Sequence, residues 1–351
     1  MSRISQLAQR LVRDGRLDNA DAQAITHEVL SNNIVSREEK RVLQQLLRNH
    51  ADKFDPAARE ELQTLLSLGE PSRPTPTTTP TTQPTTPAPV ARRELADPSV
   101  LTKHDGSVQW REVDSGRLFV DGVSYDDVVQ GQIANCYMVG AFSSVAWSNP
   151  ELIQNAIREN ADGTFTVRFY EQRGYGGAMQ PVSVTVDGDL PMADGTTSTR
   201  YGKSRDGKEL WVGILEKAYA EWKGGYEAIG NGGRAGEVMS ALTGRRDRWI
   251  HLGSARADDL FRQLQGGIAN KTPMAAGTHG KDSGVDYTGT GVYAWHVYSI
   301  HGVSEEGGQR YVQLRNPWGR TEPGNDGKDD GIFKMKLEDF MRLYNGVYLG
   351  A

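Results

Sequence analysis

The sequence predicts an α+β protein in three parts: a small all-α N-terminal segment, a Pro/Thr spacer, and a two-lobed body of mixed helices and strands. Three observations carry this reading. Helix-start signals recur in the first 68 residues, proline and threonine dominate residues 71–90, and alternating β patterns interleave with helical ones beyond residue 95. A length of 351 residues leaves room for more than one core.

Within 1–68, helices are predicted to start at Asp18-Asn19-Ala20-Asp21, Ser36-Arg37-Glu38-Glu39 and Asp55-Pro56-Ala57-Ala58. Each offers an N-cap side chain, and the third adds proline at the first helical position. The starts recur at intervals of 18 and 19 residues, the mark of a degenerate repeat. Asp14-Gly15-Arg16-Leu17-Asp18 echoes half of an EF-hand loop, but Arg10 and Val12 stand where ligands would be needed. A helical targeting or regulatory module without metal is the expectation, one that could fold back on the body or bind a partner.

Residues 69–94 form the boundary. A Pro/Thr run cannot bury a core and predicts an extended spacer, open to self-cleavage. The body then divides into lobes at 95–244 and 245–351. In the first, a helix is expected from Cys136 through Val145, where a polar turn gives way to an apolar run. Phe165-Thr166-Val167-Arg168-Phe169 and Val182-Ser183-Val184-Thr185-Val186 alternate as half-buried strands, the second ending at Asp187-Gly188. Glu209 to Trp222 has helical spacing, with Trp211, Leu215, Ala218 and Trp222 on one face. The second lobe predicts a helix near 257–264, strands through His296 and Val312, a helix near 338–344 and a last strand at 347–349.

Composition excludes several classes. Charged residues are 24% and the net charge is −5, so no nucleic-acid surface is indicated. No apolar run reaches the ~18 residues of a membrane span, and the N-terminus lacks the apolar core of a signal peptide. A single cysteine makes no internal disulfide, and a nucleophilic thiolate must stay reduced. A cytoplasmic location is therefore expected, with leaderless secretion as the other route.

That cysteine carries the chemistry. Cys136 opens the predicted helix, where the positive end of the macrodipole favours thiolate. A lone cysteine is more often a buried structural residue. What weighs against that reading here is His296, 160 residues on, followed by Asn316 in Arg315-Asn316-Pro317-Trp318-Gly319. Cys, His and Asn in this order form the papain-like triad. Cys136 would be nucleophile, His296 acid and base, and Asn316 the group orienting the imidazole, with Trp318 shielding that bond. Gln130 would donate its side-chain amide to the oxyanion beside the Cys136 N–H. His301, five residues beyond His296, should face the other way.

Several segments in one order resemble the calpain protease core. They are Phe119-Val120-Asp121-Gly122, Asp127, Gln130-Gly131 and Cys136, then Leu210-Trp211 with Leu215-Glu216-Lys217-Ala218-Tyr219-Ala220 and Tyr226-Glu227-Ala228. His296 with Tyr298-Ser299, Arg315 to Gly319, Asp330-Gly331 with Phe333, and Asp339-Phe340-Met341 complete them. Asn135 and Tyr137 stand where calpains typically carry Asp and Trp. The resemblance implies a papain-like two-lobed core of compact, bacterial-type architecture and a calcium-dependent cysteine endopeptidase acting on flexible protein segments.

It also implies one Ca²⁺ in each lobe. Carried over, the first-lobe ligands are the carbonyls of Val120 and Gly122 and the carboxylates of Asp127 and Glu209. Those of the second lobe are Glu322, Asp326 (or Asp329) and Asp330, although Ile332 falls where the family has another acid. Two other readings stand beside the endopeptidase: a catalytically silent protein-binding scaffold of the same shape, and acyl transfer by the same triad. Retention of Cys136, His296, Asn316 and Gln130 together opposes the first. Asn316 in place of the usual Asp opposes the second.

Overall fold

The computed structural model describes residues 92–350, apart from 114, 115, 175 and 325, together with isolated positions between 43 and 62. The chain divides into two compact units, Met1–Thr85 and Thr86–Ala351. The helices expected in 1–68 and the spacer up to residue 91 otherwise lie outside the described residues. Among the described residues, no helix is long and apolar enough to cross a membrane.

The second unit has two hydrophobic cores. Elements around the first are β1 (Val108–Glu112), β2 (Val128–Val129), α1 (Cys136–Ser148), α2 (Pro150–Gln154), β3 (Ile157–Glu159), β4 (Phe165–Gln172), β5 (Met179–Val186), β6 (Asp189–Ala193), β7 (Lys203–Ser204), α3 (Trp211–Lys223), α4 (Tyr226–Ile229) and α5 (Ala235–Thr243). Those around the second are β8 (Asp247–His251), α6 (Ala257–Ala269), β9 (Met274–Thr278), β10 (Val297–Glu306), β11 (Gln309–Arg315), β12 (Ile332–Lys336), α7 (Leu337–Leu343) and β13 (Tyr344–Gly350). All strand pairings are antiparallel, and the largest sheet runs β12-β11-β10-β9-β13-β8.

Helix α1 is buried continuously from Tyr137 to Ala146, so it is apolar all round rather than amphipathic. It ends at Asn149 because Pro150 follows and disfavours helical backbone before it. Gly140 lets α1 lie close on the large sheet: a Cβ there would sit 3.3 Å from the Val297 side chain. The sheet separates the two cores by its period of two. Ala275 and Val297 join the core shared with α1, whereas Met274, Ala276, Tyr298 and Ile300 turn into the other.

Helix α3 begins at Trp211, two residues after the expected start, and closes on Gly224 in the left-handed region at φ 93°. Its Lys217 is buried and ion-paired with Asp97, Asp187 and Asp189 while lying 4.6 Å from the Trp110 ring centroid. Burial alone would lower the Lys217 pKa, but the three carboxylates outweigh it. One ammonium thus holds the β5–β6 turn and the chain before β1 onto the first core.

Candidate active site

Cys136 occupies the first position of α1 and is partly exposed. The backbone N–H groups of Val297, at the start of β10, of Tyr137 and of Cys136 itself favour its thiolate and so act to lower the thiol pKa. Burial nonetheless pushes the thiol pKa up, ahead of all three donors. The helix N-terminus therefore does not win by itself, because removing the charged form from water costs more than three amide dipoles return.

His296 and Asn316 meet, but neither is part of a strand. His296 immediately precedes β10 and Asn316 immediately follows β11. Because those strands are antiparallel neighbours, with Ser299 opposite Arg315, both residues emerge at the same end. This corrects the expectation of a strand through His296, although both backbones stay tied to their neighbours: the Thr278 N–H donates to the His296 carbonyl at 2.9 Å and the Asn316 N–H to the Gly331 carbonyl at 2.8 Å. Trp295, at φ 57° and 68% exposed, makes the turn that delivers His296 to β10.

His296 Nε2 lies 3.0 Å from Asn316 Oδ1. The amide orientation is set independently. Asn316 Nδ2 donates to the Thr321 carbonyl at 3.0 Å, and Oδ1 accepts the Trp318 N–H at 3.2 Å. Oδ1 is thus an acceptor, Nε2 carries the imidazole proton, and Nδ1 is the nitrogen left with a free lone pair. The Trp318 and Tyr298 rings stand 4.8 and 4.9 Å from the His296 ring. This enclosure pushes the His296 pKa down to about 4, the bond to Asn316 opposing it. No hydrogen bond joins the sulfur to the ring, and burial disfavours the charged form of each.

Gln130 is tied to the same corner. Its backbone N–H donates to the Pro317 carbonyl at 2.9 Å, bridging the residues around the two cores. Its Nε2 donates to the Ile133 carbonyl at 2.6 Å, which uses one of its two amide hydrogens. His301 faces away, as expected. It is fully enclosed by Tyr125, Trp147 and Ser299 on the α1 side of the sheet, at a bulge in β10.

The matching family model, calpain family cysteine protease, spans residues 91–326, and so takes in Gln130, Cys136, His296 and Asn316. The chain belongs to the calpain family. It is 28% identical over 296 residues to the calpain-2 catalytic subunit of Bos taurus, covering 74% of this chain and 40% of the relative. With the calpain-type cysteine protease ADL1 of Oryza sativa subsp. japonica it shares 31% over 247 residues, 66% of this chain and 11% of that protein. The calpain-type cysteine protease DEK1 of Zea mays gives 29% over 261 residues, 66% and 12%. The chain thus spans well under half the length of these calpains.

The first-lobe acids come together in this calpain core. Asp127 Oδ2 and Glu209 Oε2 each accept the Trp211 indole N–H at 3.2 Å, and Glu209 Oε1 accepts the Val120 and Asp121 amides. Burial, followed by the adjacent Glu209 carboxylate, pushes Asp127 up to about 7 against the Ser124 N–H. Two hard carboxylates crowded beside the loop of Val120 and Gly122, itself at φ 104°, fit a divalent cation that would relieve their repulsion. In the second lobe, Glu322, Asp326 and Asp330 each accept a loop amide, from Gly331, Lys328 and Ile332 respectively, as Asp329 does from Thr321. Their ligand atoms are not gathered within 4.8 Å; among the described residues only Asp97, Asp187 and Asp189 are, and the Lys217 ammonium already sits among those as the ion-pair partner of all three.

Two relationships were not readable from residue types alone. The Val297 amide at the sulfur has no side-chain signature. Asn135, buried beside the nucleophile, donates to Glu216 Oε1 at 2.7 Å, while Gly202 donates to Glu216 Oε2 at 2.7 Å. An acid at 216 facing an amide at 135, 81 residues apart, is a contact that only folding creates.

Proposed function

We propose that this chain is a calpain-type cysteine endopeptidase, with calcium required for full activity. The observation that carries the proposal is the Asn316-oriented His296, emerging just before β10 and next to Val297, whose amide favours the Cys136 thiolate. In the reaction, His296 Nδ1 takes the thiol proton as sulfur attacks the peptide carbonyl. The oxyanion is received by the Cys136 N–H and the remaining Gln130 amide hydrogen. The His296 proton then passes to the departing amine, and water hydrolyses the thioester with His296 again as base.

Val120, Gly122, Asp127 and Glu209 would hold the first-lobe ion, whose chemistry is to neutralise the crowded carboxylates and stiffen the loop leading to Gln130. A second ion would require Glu322, Asp326 and Asp330 to draw together. Substrates are flexible segments of other proteins, because an extended chain is needed to lie across the reacting groups.

Casein hydrolysis by wild type and Cys136→Ala, each with calcium and with chelator, tests this. Wild type alone should cut, and more slowly with chelator. Cleavage by the alanine variant at the wild-type rate would remove Cys136 from its role, and equal rates with chelator would remove calcium.

A further inference from the structure

A cavity of about 760 Å³ adjoins Gln130 and Trp318. Arg200, Lys203, Arg205 and Arg320 line it, against the single carboxylate of Asp329. Such a concentration of one sign matters only if the charges are unspent, and they are. Arg200 donates to Gln132 Oε1 at 2.7 Å and to the Ser107 carbonyl at 2.8 Å. Lys203 donates to Ser198 Oγ at 2.8 Å, and Arg205 to the carbonyls of Asp126 and Asp330 at 3.1 and 3.3 Å. Every one of these acceptors is neutral. Among the described residues, none of the four cations is ion-paired to a carboxylate, whereas arginines elsewhere on the body, such as Arg92, Arg234, Arg310 and Arg342, are.

The position of the cavity says which part of a substrate would meet it. The scissile carbonyl oxygen is placed between the Cys136 N–H and Gln130. The departing nitrogen must reach His296, and Trp318 covers that ring at 4.8 Å. Chain on the C-terminal side of the scissile bond therefore runs past Trp318 and Gln130, into the cavity.

We infer that this cavity selects substrates carrying acidic side chains, Asp or Glu, within the few residues C-terminal to the cleaved bond. The inference rests on the peptidase reading above and adds a substrate class to it. Unpaired guanidinium and ammonium groups in a concave site focus a positive potential, attracting carboxylates and disfavouring lysine and arginine there. The effect should be screened by salt, because the cavity is open to solvent.

The test uses three quenched fluorescent peptides, alike up to the scissile bond and bearing Glu, Gln or Lys at the three following positions. The full chain is assayed in calcium, and mass spectrometry confirms the bond cut. At about 0.05 M salt, kcat/KM for the Glu peptide should exceed that for the Lys peptide by about tenfold or more, and the ratio should shrink at about 0.5 M. Lys203→Glu combined with Arg320→Glu should erase or invert the order. Each ratio is normalised to hydrolysis of the same N-terminal segment as a coumarin amide, which ends at the leaving group and reports the triad. A wild-type Glu/Lys ratio within twofold overturns the inference, as does a preference that survives the double reversal. Failure to hydrolyse every peptide, the coumarin amide and casein alike overturns the peptidase reading instead, and the inference falls with it.

Discussion

Val297, the residue after His296, lies against Gly140 of α1, and its backbone N–H favours the Cys136 thiolate, so the candidate nucleophile senses the peptide next to its expected base although no hydrogen bond joins the two side chains. Burial raises the thiol pKa and lowers that of His296 to about 4, and both directions favour a neutral thiol beside a neutral imidazole. Thiolate is then scarce until pH approaches the thiol pKa. With chelator present, alkylation of Cys136 by iodoacetamide should accelerate roughly tenfold per pH unit from 6 to 8.5. Because Cys136 is the only cysteine, the mass of the modified chain reads the rate directly. A plateau across that range would show that a thiolate–imidazolium pair already exists.

Removing the Asn316 amide should separate positioning from nucleophilicity. Asn316→Ala leaves Nε2 of His296 without its acceptor and frees the ring to turn, so kcat/KM for peptide hydrolysis should fall by roughly 10²-fold or more. Alkylation of Cys136 should stay close to the wild-type rate, because the sulfur is carried by the start of α1, whereas Asn316 bonds His296, Thr321 and Trp318. Equal loss in both assays would mean that Asn316 serves the loop through Thr321 and Trp318 rather than the imidazole.

Glu216 gives a stability prediction whose sign follows from its surroundings. Burial pushes it up to about 7, against the donors Asn135 and Gly202. A carboxyl whose folded pKa exceeds its unfolded value binds its proton more tightly when folded, so its contribution is full below about 4.5 and is lost as pH rises to about 7. Glu216→Gln abolishes this titration. The Asn135 Oδ1, buried and without a partner, can accept from the new amide once the Asn135 amide turns over. Thermal unfolding should show the variant gaining on wild type between pH 4.5 and 7, by up to about 3 kcal/mol, and level beyond. A difference independent of pH would show that hydrogen-bond geometry, and not charge, governs this site.

Much of the local structure was legible. The switch from polar turn to apolar run at Cys136 located α1, alternation located β4 and β5, and spacing located α3 to within two residues. Periodicity could not show that β9 and β10 lie between two cores, since Ala275 and Val297 look like any small apolar strand residues. Nor could it place His296 and Asn316 beyond their strands: a strand end depends on where the neighbouring ladder stops.

The sequence by itself determined the candidate reacting groups, their order and the helix that presents the sulfur, because these depend on residue type and short-range spacing. Only the tertiary structure decided the imidazole tautomer, the burial that disfavours charge on Cys136 and His296, the Asn135–Glu216 contact and the cations beside Trp318 that pair with no carboxylate among the described residues. Each of these depends on burial and on partners distant along the chain, and desolvation has no signature until the chain has folded around the group.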